Sequence, residues 1–304
     1  MFFYVIMCVS LVSAWRPDDN GFFKCLHEID ATCEDQLKDT MSPASRVRAT
    51  NVTLQLPRTN SPDDLSDSET AIALGMLSQF GVVVLTNAVP CAMLVEVARD
   101  TEARFPITRP GDQLREDTPQ HDGVSVLTLR RLLNRLAKLI DEAVGPTAEI
   151  VEFSVMSTFP GSLFQRVHAD TRMYEETHRH RAPQYSLFVA CQDTNKKMGP
   201  LTVWPRTHDS FHFADVIFAS EYLQIVPGVA VGAVECGSVV MFDSRLFHHG
   251  GENASDRMRH MMYVTVEGPG EKPKDQDMRP YSLHPSMKGV TTADVREYNY
   301  PRDL

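Results

Sequence analysis

Two hydrophobic rhythms divide the chain. Residues 69–80 place apolar side chains at helical spacing, and Gly81 interrupts the run. The continuous apolar stretch 82–85 (VVVL) then predicts a buried strand. Residues 91–103 return to helical period through Met93, Leu94, Val97 and Ala98. A third helix is expected over 127–143, where leucines recur every three or four residues until Gly145-Pro146 stops them. Between these, 106–123 carries Pro106, Pro110 and Pro119 with glycine and aspartate breaks, and reads as a loop.

After Ala148 the rhythm changes. Short apolar runs at 150–156, 185–191, 201–204, 224–231, 238–242 and 259–266 are separated by Gly, Pro, Asn and Asp clusters. Strands at this spacing favour a β-sandwich or barrel, with the preceding helices covering one sheet face. The expected organisation is a signal-like segment at 1–14, a polar segment at 15–66, one domain at 67–267 and a tail at 268–304. Within the domain, 67–147 is the helical part and 148–267 the barrel core.

Composition narrows the class. The 304 residues are 42% hydrophobic and 23% charged, as in soluble folded proteins. A formal net charge of −10 argues against a nucleic-acid partner, which needs a basic footprint. Residues 1–14 form the one strongly apolar run, too short to span a bilayer as a helix, so no stable membrane insertion is expected. Val12-Ser13-Ala14 resembles a signal cleavage site, although no Lys or Arg precedes the apolar core. The run therefore reads either as a secretory signal or as the hydrophobic N-terminus of a cytoplasmic protein. Asn51-Val52-Thr53 is a glycosylation acceptor if the chain is secreted. Cys25 and Cys33 are the nearby pair able to bridge, whereas Cys91, Cys191 and Cys236 lie in apolar stretches and read as buried thiols. No CxxC pattern suggests structural zinc.

The candidate chemistry lies in His168-Ala169-Asp170 and, far downstream, in His248 and Arg259. Residues two apart on a strand point to one face, so His168 and Asp170 can serve one metal ion. An isolated HxD is common and means little alone. His248 follows the apolar run 238–244, and Gly250, Gly251 and Asn253 shape the loop beyond it. Period two puts Arg259, Met261, Tyr263 and Thr265 on one face and turns His260 away from it; His249, the second choice as ligand after His248, faces the opposite way to His248 if that strand continues. Two imidazoles and one carboxylate suit Fe(II), leaving positions open for substrate. An arginine nearby suits the carboxylate of a keto acid.

In this order the residues resemble the phytanoyl-CoA dioxygenase family of Fe(II)/2-oxoglutarate oxygenases. The likeness runs from Gln165 to Val266 and includes Met198-Gly199-Pro200-Leu201-Thr202-Val203-Trp204-Pro205-Arg206-Thr207-His208. The segment 80–98 is similar to the family's N-terminal part. The resemblance implies a mostly β double-stranded β-helix, a cupin-like jelly-roll barrel with flanking helices. It implies iron on His168, Asp170 and His248, 2-oxoglutarate anchored by Arg259, O2 as oxidant and a small-molecule substrate. Asp170 fills the position that a small residue opens to halide in a related branch, so hydroxylation is the expected outcome. One departure is Arg206, where the family usually has glycine, which implies altered backbone there. His208 is expected to be structural or to support the site from outside.

Competing readings keep the same three ligands: a Zn(II)- or Mn(II)-dependent hydrolase or isomerase, or a catalytically silent binding module. The cluster His178-Arg179-His180-Arg181 reads as a solvated or substrate-facing loop. No nucleophile elbow and no glycine-rich phosphate loop is found.

Overall fold

Local signals account for the first helix. In the computed structural model, which describes residues 47–57, 64–104, 114–171, 182–209, 227–270 and 282–297, helix α1 spans Asp67–Phe80. The Ser66 hydroxyl accepts from the Glu69 N–H, and the Glu69 carboxylate accepts from the Ser66 N–H at 2.9 Å, a reciprocal capping box. Gly81 ends the helix at φ +77°, where an added Cβ would lie 2.5 Å from His208 Nδ1. His208 thus packs under the α1 terminus and is not among the residues lining the cavity described below.

Helix α2 spans Cys91–Arg104. The expected helix over 127–143 is two helices, α3 (Gly123–Arg135) and α4 (Ala137–Ala143), because the backbone at Leu136 leaves helical values. Leu136 is fully buried, and no Gly or Pro marks the break in the sequence.

The strands are β1 (Thr53–Gln55), β2 (Val82–Thr86), β3 (Arg115–Pro119), β4 (Glu149–Thr158) and β5 (Gln184–Ala190). They continue as β6 (Leu201–Val203), β7 (Val229–Ala230), β8 (Val239–Asp243), β9 (His248–Gly250) and β10 (Arg259–Glu267). Seven form one sheet in the order β1-β2-β8-β5-β10-β4-β3, and three form a second in the order β7-β6-β9. Only the β1–β2 pair of the large sheet is parallel. Strand β3 corrects the loop expected over 106–123. Arg-Glu-Asp-Thr-Pro has no apolar alternation because it is an edge strand, where a proline costs no ladder bond on the open side.

Each central strand has two unlike faces. Phe153 and Val155 of β4, Leu187 and Val189 of β5, and Met262 and Val264 of β10 join the apolar core with Leu94, Leu129, Leu132 and Ile140 of the helices. Their neighbours on the strands point to the other side, towards the small sheet. The fold is mostly β with helices on the outer face of the large sheet. Residues 282–297 share that core: Met287 and Val295 are buried, and the Phe153 N–H donates to Ser282 O at 2.9 Å. Among the described residues no helix is long and apolar enough to cross a membrane.

The cysteine pairing departs from expectation. Cys91, at the start of α2, is disulfide-bonded to Cys236 in the turn before β8, with Cα atoms 5.3 Å apart and a sequence separation of 145. Cys191 is a buried free thiol, as expected. Spacing along the chain carries no trace of a pair brought together only by the fold. Cys25 and Cys33 lie outside the described residues, as do residues 1–14, the cluster at 178–181 and most of the expected strand 224–231. Reduction of the Cys91–Cys236 bridge is expected to destabilise the protein by about 2–4 kcal/mol, because a long loop is released in the unfolded chain. Urea unfolding with and without reductant, beside the Cys91→Ser/Cys236→Ser variant, measures it; identical midpoints would refute the bridge.

Candidate active site: a His-Asp-His cluster and a buried arginine

The cluster depends on a pairing between strands. Segment 165–168 runs antiparallel to β9, extending the small sheet: His168 N–H donates to His248 O at 3.0 Å, and His248 N–H to His168 O at 2.8 Å. Gln165 N–H donates to Gly250 O, and the Gln165 side-chain Oε1 accepts from Gly250 N–H, both at 2.9 Å. The two imidazoles are therefore neighbours, with ring centroids 4.4 Å apart. Asp170 Oδ1 lies 3.6 Å from Nε2 of each. One donor atom from each of the three residues falls within 4.8 Å of the others.

Both rings are held the same way. His168 Nδ1 is 2.8 Å from Arg166 O, and His248 Nδ1 is 2.9 Å from Leu246 O. A carbonyl can only accept, so each Nδ1–H is the donor there, and in the neutral ring the Nε2 lone pair is the one that faces Asp170. Burial pushes His248 down to about 4, against the pull of Asp170, so the ring is neutral at neutral pH. Two neutral imidazole nitrogens and a carboxylate on one side, with open cavity on the other, fit a divalent metal with exchangeable positions.

The cavity, about 150 Å³, is lined by both sheets. His168, Asp170, His248 and Leu201 face Met156 of β4, Phe188 of β5 and Arg259, Met261 and Tyr263 of β10. Arg259, Met261 and Tyr263 are three of the four side chains that period two placed together. His249 turns away, packing 5.5 Å from the Trp204 ring, and His260 points to the helical side. There His260 bonds to Ser157 Oγ and Glu102 Oε1, each at 2.9 Å, tying α2 to the sheet.

Arg259 is 2% exposed. One guanidinium nitrogen donates to Gly199 O and another to Thr158 Oγ1 at 3.1 Å, while Nε has no partner. Among the described residues no carboxylate lies within ion-pair distance of it. Burial, with the charge of Arg115, lowers its pKa to about 10, so it stays cationic. Gly199 is what brings that carbonyl in: at φ +68°, a Cβ there would lie 2.3 Å from Gly251 O. The Met198-Gly199-Pro200 motif thus lets the turn before β6 lie directly on the glycine loop after β9.

Arg115 was missed by sequence reasoning. It stands opposite Thr158 on one side of β4, as Arg259 does on the other. It donates to Leu163 O at 2.8 Å and Gly251 O at 2.7 Å. No apolar alternation marks its strand, so no local signal exposes it. Arg206 keeps a left-handed backbone, φ +73°, and its guanidinium sits 5.5 Å over the Phe80 ring. That region favours glycine, and the strain it costs Arg206, about 1 kcal/mol, is offset in part by the cation–π contact.

A two-sheet jelly roll with an open-sided His-Asp-His cluster defines the class of mononuclear-metal oxygenase-family enzymes. The chain belongs to the phytanoyl-CoA dioxygenase (PhyH) family, whose profile matches residues 78–261, more than half of it. A comparison with curated protein sequences finds no match. Solved structures of similar fold include SnoK, a non-heme alpha ketoglutarate dependent carbocyclase from nogalamycin biosynthesis. It is 17% identical, with 73% of this chain and 94% of that one covered and a TM-score of 0.54. The epimerase SnoN, in complex with Fe3+, alpha ketoglutarate and nogalamycin RO, is 16% identical over 67% of this chain and 85% of its own, TM-score 0.52. HygX from Streptomyces hygroscopicus, with nickel, 2-oxoglutarate and hygromycin B bound, is 15% identical over 76% and 100%, TM-score 0.53. At these identities the likeness speaks for the jelly-roll fold.

Buried His248 has a pH signature. Unfolded, it takes a proton near 6.5; folded, only near 4, so the unfolded chain binds more protons between these values. Its contribution to stability is present above pH 6.5 and is lost as pH falls through that window, about 3 kcal/mol in all. Metal-free protein unfolded at pH 7, 5.5 and 4 is expected to show this loss, and His248→Gln a smaller one; equal slopes would refute it.

Proposed function

We propose that the chain is an Fe(II)- and 2-oxoglutarate-dependent dioxygenase that hydroxylates an unactivated carbon of a small organic substrate. The overall change is substrate C–H, O2 and 2-oxoglutarate to alcohol, succinate and CO2. His168, Asp170 and His248 hold the metal, and Arg259 grips the distal carboxylate of 2-oxoglutarate. The observation that carries this reading is Arg259: a buried cation facing a cavity, with no carboxylate partner among the described residues, beside three convergent metal donors. An unpaired buried charge is costly, and a planar carboxylate relieves that cost through a two-point pair.

Fe(II), when bound, supplies the activation of O2 and the oxidative decarboxylation of the keto acid. The chain's own groups position and exclude. The clamped Nδ1–H groups keep both Nε2 atoms aimed at one point. Asp170 supplies the anionic ligand and occupies the position a halide would need. Thr158 and the Gly199 carbonyl fix the plane of the Arg259 guanidinium, and Arg115 adds a second positive charge on that side. Met156, Phe188 and Met261 give one stretch of the cavity wall an apolar surface that limits water there. At the edge, Leu163 and Phe164 are 73% and 55% exposed, next to cavity-lining Gln165, and suit a substrate with an apolar face. SnoK and SnoN, by their names, close a carbocycle and epimerise, so the oxidative outcome needs its own measurement.

Purified protein given Fe(II), 2-oxoglutarate and O2 is expected to form succinate, accelerated by substrate, with a product heavier by one oxygen. Arg259→Gln should raise KM for 2-oxoglutarate about 10- to 100-fold, the worth of a charge-assisted bond. His168→Ala or His248→Ala should lose stoichiometric iron by elemental analysis. Absence of succinate from iron-loaded wild type, or unchanged 2-oxoglutarate affinity in Arg259→Gln, would overturn the proposal.

A further inference from the structure

Two Asn-x-Ser/Thr tripeptides occur in the described residues, Asn51-Val52-Thr53 and Asn253-Ala254-Ser255, and the fold treats them oppositely. Asn51 is exposed, on the 3-10 turn Ala49–Val52 that leads into β1. Its Oδ1 accepts from the Arg48 N–H at 2.8 Å, and among the described residues its Nδ2 meets no acceptor. Among the described residues strand β1 is the outermost of the large sheet, so this position borders a sheet edge. Asn253 is wholly buried. Its Nδ2 donates to Thr158 O at 3.0 Å and Arg257 O at 2.9 Å, and its Oδ1 accepts from Ser255 Oγ at 2.6 Å. A sugar on Asn253 would replace one of those donors and has no space.

The disulfide points to the same compartment independently. Cys91 and Cys236 meet across 145 residues, a pairing that persists where thiols are oxidised and not in a reducing cytosol. We propose that the chain matures in the secretory pathway and carries an N-linked glycan on Asn51, with Asn253 left bare. This does not rest on the reaction proposed above. In the glycan step, Asn51 Nδ2 attacks the anomeric carbon of an oligosaccharide linked to a lipid diphosphate. The new C–N bond forms as the C–O bond to diphosphate breaks, the lipid diphosphate leaves with the electron pair, and the amide loses one proton. In the disulfide step the two thiols pass two electrons and two protons to a disulfide of an oxidoreductase, which leaves as the dithiol. The glycan stands beside β1, the outermost strand among the described residues, where it bars pairing with a second chain's edge.

The test is expression of the full chain in a eukaryotic secretory host. Peptide mass mapping follows, after release of N-glycans by amidase in heavy-oxygen water. Asn51 is expected to become heavy aspartate and Asn253 to remain asparagine in folded protein. Asn51→Gln and Thr53→Ala should abolish the gel shift, and Thr53→Ser should keep it. Alkylation without reductant should leave Cys91 and Cys236 unlabelled. The proposal is overturned by secreted protein bare at Asn51, by a sugar on Asn253 in folded protein, or by chain found only in the cytosol with both cysteines alkylated.

Discussion

Register in the large sheet is the constraint on which everything else depends. Along β10, Met262, Val264 and Val266 face the helices, and Arg259, Met261 and Tyr263 face the small sheet. A one-residue slip against β4 or β5 would bury Arg259 among leucines and turn core residues into the cavity. The apolar face fixes the pairing because it alone gains from burial. The polar face is carried along by the pleat. The cavity's chemistry is thus held by packing on the side of the sheet that never touches it.

This explains how much of the molecule was legible. Strands with one buried face alternate, and that alternation placed Arg259 with Met261 and Tyr263 and turned His249 and His260 away. His168, Asp170 and His248 could be paired only through a known family order, since 78 residues separate Asp170 from His248. The structure puts them together through a few backbone bonds between segment 165–168 and β9, which leave no side-chain pattern. What stayed hidden had no rhythm to read. Strand β3 is polar on both faces, so Arg115 disappeared into an apparent loop. Leu136 breaks a helix with a residue that favours helices. Cys91 and Cys236 belong to apolar runs and differ in nothing from buried thiols until the chain closes.

Glycines near the site serve closeness more than turning. Gly199 lies against Gly251 with no room for a side chain, and this contact delivers the carbonyl that steadies Arg259. Arg206 shows the converse: a residue with a long side chain takes a left-handed backbone, because the Phe80 carbonyl, bonded at 2.9 Å, and the Phe80 ring both hold it. Tertiary contacts, not the residue's own preference, decide the dihedral there.

The carbonyl clamps on His168 and His248 carry one more consequence. A methionine could offer a donor atom at either place, but a thioether has no second polar atom to anchor. Its head would swing freely, and every arriving ion would have to freeze it. Imidazole is selected here as much for the atom that faces away as for the one that faces in, and the socket stands ready-made before its occupant comes.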